Sequence, residues 1–274
     1  MNLDEKMKGF PSVYYFNLDS DVERKEYMET QFRQYGIRNY QRVSGNKFLA
    51  SKIKEWEYLL IGDYDKDRDY AVANFVSHID FLAWWLKNTT EETLIIMEDD
   101  YDLSLIPHWH FSWEFFMKSL PANWDCIQMG YEHPDYIIFC LHIKPPLDQL
   151  FGPCMLNRNF VKKIINLYYQ NGKFMLNNKL GYSKKFTKAC SSSVDTAIIN
   201  DGVTYRIPLI TTNFDLCRPD RLELLSWHKN VASTYHYWWT AKRDYFDFDD
   251  FFSYAHPNVD KMTQPVRDYK EIMP

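Results

Sequence analysis

The stretch LIIMEDDYDLS, residues 94–104, decides how this sequence reads. An apolar run ending in three consecutive acids, Glu98, Asp99 and Asp100, predicts a strand buried inside a sheet with a charged carboxyl end. Three carboxylates at one tip repel one another unless something positive sits between them. Alternate residues of an extended chain share a face, so Glu98 and Asp100 point together while Asp99 points away. Two hard oxygens on one side make a partial shell for Mg2+ or Mn2+, with positions left for diphosphate oxygens. The plain alternative is a turn whose acids face water.

Upstream, VYYFNL (13–18) predicts another buried strand, and SDVE (20–23) a capping box that opens a helix. Val22, Met28, Phe32 and Tyr35 give that helix an apolar face, and Gly36 stops it. YQRVSGN (40–46) predicts a short strand, so strand, helix and strand begin a parallel α/β sheet. Val72, Val76, Ile79, Ala83 and Leu86 predict a helix over 71–86, with Trp84 and Trp85 partly off its stripe. Beyond the acids, strands are expected at 125–129, 136–143 and 204–210, and helices at 159–170 and 195–200. No repeat and no long linker interrupts the chain. The expectation is one α/β domain over 1–220 and an aromatic extension over 221–274 packed on it.

Composition narrows the function classes. The chain has 274 residues, 46% of them hydrophobic, enough for one sizeable domain. A net charge of -5 exerts no general pull on nucleic acid or an anionic membrane, so no nucleic-acid partner is expected. The charged start MNLDEKMKGF lacks the apolar core of a signal peptide, and no run approaches the roughly 18 apolar residues of a membrane span. The 5 cysteines form no CxxC pair, which suits free thiols. A soluble, cytoplasmic protein without a transmembrane segment is expected. GxSxG, P-loop and GxGxxG patterns are absent from the sequence.

In open α/β sheets ligands bind beyond the carboxyl ends of the strands, which singles out two tips: Asn17-Leu18-Asp19 and Glu98-Asp99-Asp100. GDYDKDRDY (62–70) alternates its acids like a calcium loop, but Arg68 and Asn74 stand where such a loop needs Gly and Glu. It reads as a solvated or substrate-edge loop. His78 falls inside a helix, where a structural role is the default, and His108 and His110 lack helical zinc spacing. His228 and His236 lie in the tail. A late histidine could complete a metal shell begun at Asp100, or simply be packed or exposed. Tyr235, Tyr237, Trp238 and Trp239 suit a core or interface, and also a stacking surface for a sugar or base.

The order of these motifs resembles that of the family 25 glycosyltransferases, which comprise lipooligosaccharide galactosyltransferases and collagen hydroxylysine galactosyltransferases. The family's I-N-L-D strand end and arginine-bearing helix correspond to Phe16-Asn17-Leu18-Asp19 and Arg24. Its R-V-x-A element corresponds to Arg42-Val43-Ser44-Gly45. Ser77-His78-Ile79 matches the family's S-H helix, with Ala73-Asn74 where Gly-Cys is usual. The L-I-x-E-D-D signature falls on 94–100, and the D-to-L-G strand is echoed by 125–130. The segment 152–158 stands for the family's G-x-x-Y-to-S-R, and Ser193-Val194-Asp195 for its P-V-D.

This resemblance implies a GT-A (Rossmann-like) nucleotide-sugar fold with a mainly parallel central sheet. The implied enzyme is a metal-dependent hexosyltransferase moving galactose or glucose from a UDP-sugar, with inversion, to a hydroxyl of a glycan, lipid-linked sugar or protein acceptor. Glu98, Asp100 and a late histidine, His236, would hold Mn2+ (or Mg2+). Asn17, Asp19, Arg24, Arg42, Ser77 and Asp99 would line the donor. Asp195 is the candidate general base, and helix capping would explain it equally well. Two rivals stand beside this reading. One is a Mg2+-dependent aspartate phosphotransferase or phosphatase built on Asp19-Ser20-Asp21; the other is a non-catalytic GT-A-like sugar-binding module.

Overall fold

Strands buried on both faces build the centre of the molecule. In β1 (Val13–Asn17) all five residues are buried, and in β3 (Thr93–Glu98) the four between the ends are. Val13, Tyr15, Ile95 and Met97 join one apolar cluster, while Tyr14, Phe16, Leu94 and Ile96 join another. A sheet with an apolar layer on each face is what continuous apolar strands require. The computed structural model describes residues 1–62, 64, 66–133, 135–145, 152–176, 194–216, 222–252, 259–268 and 270.

The other elements that frame the site are, in chain order, α1 (Val22–Gln34), β2 (Tyr40–Ser44), α2 (Asp69–Asn88), β4 (Tyr101–Asp102), β5 (Cys126–Gln128), β6 (His142–Ile143), β7 (Cys154–Asn157), α3 (Arg158–Tyr168), α4 (Val194–Asn200), β8 (Thr204–Arg206), β9 (Thr211–Thr212) and α5 (Leu222–Tyr237). The central sheet has seven strands in the order β2-β1-β3-β7-β5-β8-β6. Strands β2, β1, β3, β5 and β8 run in one direction, with β7 and the edge strand β6 reversed. The fold is therefore mixed α/β with a mostly parallel central sheet.

One face carries Met28 and Phe32 of α1 together with Val231, Tyr235, Trp238 and Trp239 from the aromatic tail. Three of the four tail aromatics thus belong to the core, with Tyr235 1%, Trp238 0% and Trp239 2% exposed, while Tyr237 is half-buried with Arg267 over its ring. The other face carries α2, α3 and Ile198 and Ile199 of α4. Trp85 is fully buried there, on the apolar stripe of α2, and Arg158 stacks on its ring while donating to the carbonyls of Leu86, Thr89 and Glu91. The arginine of the 152–158 motif is therefore a structural clamp.

Several local expectations change. The capping box at 20–23 does not form: Asp21 is the N-cap of α1, without a side-chain capping bond. The expected strand at 136–143 is two pieces, Tyr136–Ile138 and β6, in different sheets. β7, between β3 and β5, was not foreseen as a strand. Its approach to the sheet needs glycine: a Cβ on Gly152 would stand 1.8 Å from the Gly130 carbonyl oxygen. Cys126, Cys140 and Cys154 are buried free thiols, while Cys190 and Cys217 lie outside the described residues. Among the described residues no helix is long and apolar enough to cross a membrane.

Candidate functional site

Parallel pairing of β1 with β2 and β3 aligns their carboxyl ends, with Phe16 opposite Glu98 and Asn17 opposite Ser44. That register brings Asn17, Asp19, Arg42 and the acid triplet to one edge of the sheet. A hydrogen-bonded chain runs along this edge. Arg42 bonds the Asp19 carboxylate and donates from Nε to Asn17 Oδ1 at 2.7 Å. Asn17 Nδ2 donates to Asp99 Oδ2 at 2.7 Å and to the Asp21 carbonyl at 3.0 Å. Arg24 of α1 donates from Nη1 to Asp99 Oδ1 at 2.9 Å, and its Nη1 stands 3.8 Å from Asp100 Oδ2. The other end of the Arg24 guanidinium bonds the Leu216 carbonyl.

The three acids separate by environment. Asp99, 6% exposed, has both carboxylate oxygens engaged, one by Asn17 and one by Arg24. Asp99, expected as a donor contact, is the buried anion that fixes Asn17 and Arg24. Glu98 Oε1 accepts from Asn74 Nδ2 at 2.6 Å. Burial and then the Glu98 charge push the Asp100 carboxyl up to about 7, against the opposing pull of Arg24. Asp19 is held low by hydrogen bonds from Arg42 and then Ser44, the latter at 2.9 Å. Both of these bonds fall on one carboxylate oxygen, Oδ1.

The segment after the acids is pinned from α1. Buried Gln31 donates to the Tyr101 carbonyl at 2.9 Å and accepts from the Leu103 amide at 2.7 Å. On the other side the Asn213 amide donates to the Asp100 carbonyl at 2.6 Å, and β9 pairs with β4.

Glu98 and Asp100 fit a divalent cation in chemistry. They are carboxylates, the Glu98 charge raises the proton affinity of Asp100, and the side-chain oxygen of Asn74, whose amide nitrogen donates to Glu98, is buried with no hydrogen-bond partner among the described residues. His236 does not join them: its Nε2 lies 3.4 Å from Asp102 Oδ2. Burial opposes the Asp102 charge, but hydrogen bonds from His236 and Ser104 outweigh it and lower the Asp102 pKa. Among the described residues no three His, Cys, Asp or Glu side chains are gathered as a metal shell, so the expected Glu98–Asp100–His236 trio is not assembled. Cation binding here would need ligands from the substrate or water.

Among the described residues no hydrogen bond draws Ser77 into this edge; its hydroxyl donates back to the Ala73 carbonyl at 2.8 Å. His78 is structural, buried and stacked on Phe16 with ring centroids 3.7 Å apart. Asp195 is the second residue of α4, inside the helix rather than capping it, and its side chain lies outside the described residues. Asp63 and Asp65 of the acidic loop also lie outside them. Asn74 and Asn213 escaped the sequence reading. A signal existed for Asn74, which replaces the Cys of the resembling family one helical turn before His78.

No family model matches the sequence, and no curated protein matches it. Among solved structures, A197 from STIV covers 74% of this chain and 84% of its own at 10% identity and a TM-score of 0.35. HddC from Yersinia pseudotuberculosis, complexed with GMP-PN, covers 73% of this chain and 92% of its own at 15% identity and a TM-score of 0.32. Likenesses at this level assign neither a family nor a function.

Proposed function

We propose that this chain is a metal-dependent glycosyltransferase of GT-A type, related to family 25, that moves a galactose or glucose from a UDP-sugar to a hydroxyl acceptor with inversion. The observation that carries this reading is the strand edge where Glu98 and Asp100 repel each other beside the Asp19–Arg42–Asn17–Asp99–Arg24 chain. Arg42 and Asp19 offer a charged cradle and hydrogen-bonding groups for the nucleotide. Asn17 and Asp99 hold that cradle and Arg24 rigid, so little reorganisation accompanies binding. Arg24 stands beside Asp100, where it would face diphosphate. Glu98 and Asp100, joined by the Asn74 oxygen, would hold Mn2+ or Mg2+, which would offset the charge that develops on the departing diphosphate. The acceptor class would be a glycan, a lipid-linked sugar or a protein hydroxyl. Asp195 is the sequence's candidate for taking its proton.

A panel of nucleotide sugars, each with and without Mn2+, tests this by release of free nucleotide and by thermal shift. Metal-dependent release from a UDP-hexose is expected. Absence of both turnover and metal-dependent stabilisation with every donor would remove the proposal.

A further inference from the structure

A second polar pair lies at the same sheet edge, two strands away from the acids. Since β7 runs antiparallel to both β3 and β5, the last two share a direction, and the chain leaving β5 emerges at the edge where Glu98 and Asp100 lie. Glu132 is four residues beyond Gln128, the end of β5. Its Oε2 is 2.6 Å from His228 Nδ1 of α5, and its Oε1 accepts from the Thr212 hydroxyl at 3.1 Å. Both partners are largely sheltered, with the His228 side chain 20% and the Glu132 side chain 14% exposed.

The register ties this pair to the acids. Across β4 and β9, Thr212 faces Tyr101, the residue following Asp100, whereas Thr211 faces Asp102. Of the two tail histidines, His228 is linked through Glu132 and Thr212 to the residue beside Asp100, while His236 is linked to Asp102, farther along β4.

Resting on the proposed transferase reading, we infer that His228 is the general base for the acceptor, with Glu132 as its positioning residue. A carboxylate on Nδ1 fixes the tautomer with the proton on Nδ1 and basicity on Nε2, and it stabilises the imidazolium that forms. In the step, the acceptor O–H proton passes to His228 Nε2 as the acceptor oxygen bonds to the anomeric carbon. The bond from that carbon to the diphosphate oxygen breaks, and its electron pair leaves with the diphosphate. The Glu132 carboxylate offsets the imidazolium charge until the proton passes to water. The assignment moves the base from Asp195 to a pair contributed by the β5 end and the tail.

The test uses the full chain, with UDP-galactose and UDP-glucose as donors and water or octyl β-galactoside as hydroxyl probes. His228→Gln and His228→Ala are expected to lower turnover about 10²- to 10⁴-fold, with UDP affinity in the presence of Mn2+ unchanged. Glu132→Gln is expected to lower turnover at least about tenfold with the same unchanged affinity. Added imidazole should restore part of the His228→Ala turnover and none of any loss in Asp195→Asn. UDP affinity also reports folding, and the near-isosteric Glu132→Gln variant keeps the test open if His228→Ala unfolds. Turnover within about threefold of the parent in His228→Gln, or a loss confined to Asp195→Asn, overturns the dyad alone. A parent that binds no nucleotide overturns the transferase reading and the dyad with it.

Discussion

Replacing Asp100 by Asn removes one charge from the acidic tip with almost no change in shape. In the folded chain burial and the Glu98 charge push this carboxyl from 3.8 up to about 7. The native state therefore holds the proton more tightly than the unfolded chain does. The resulting stability is complete below the unfolded value and is lost as pH rises through about 7. At about 1.4 kcal/mol per pH unit across that interval, the loss is at most about 4 kcal/mol. Urea unfolding of both proteins at half-unit steps from pH 4.5 to 8 measures it. The Asn variant should gain on the parent as pH rises, by most of that amount at pH 8, and its own profile should be flatter. A divalent cation opposes the same repulsion, so Mn2+ at pH 7.5 should raise the melting temperature of the parent and not that of the variant. Parallel stability profiles for the two proteins would refute the coupling between Glu98 and Asp100. Equal Mn2+ shifts would refute Asp100 as a ligand.

Arg24→Met leaves Asp99 buried with one of its two partners gone, and the expected loss of unfolding free energy is about 3–5 kcal/mol; a loss below about 1 kcal/mol would show that the pair does not hold this edge together. Burial pushes the His78 imidazole from 6.5 down to about 4, so its contribution is intact above pH 6.5 and is lost as pH falls through about 4. His78→Phe should therefore lack about 3 kcal/mol of the parent's acid slope in that window, and an unchanged slope in chemical denaturation would contradict it. Gly152→Ala forces a Cβ to within 1.8 Å of the Gly130 carbonyl oxygen, so the strand must shift. A destabilisation of about 1–3 kcal/mol or more is expected, and a melting temperature equal to the parent's would mean that the β7 approach is looser than its geometry.

The sequence by itself determined the buried strands 13–17 and 93–98, the acids at the tip of the second, and a mostly parallel α/β sheet. Those features follow from apolar runs and helical periodicity, which act within a segment and leave their mark on consecutive residues. It also singled out the tip Asn17-Leu18-Asp19, because ligands bind beyond strand ends in such sheets, whereas Arg24 and Arg42 entered only through the family resemblance. The roles within that set came only from tertiary structure. Asp99 became a buried anchor because packing brought Asn17 and Arg24 to its two oxygens. His236 was drawn to Asp102, away from the acids, by the packing of α5 against β9, the strand paired with β4. β7 entered between β3 and β5 because glycine at 152 allowed two backbones to meet there. The Glu132–His228 pair joins residues far apart in the chain, and no local spacing encodes it. Hydrogen-bond partners are chosen by desolvation and by which surfaces pack together, and only the folded chain decides those.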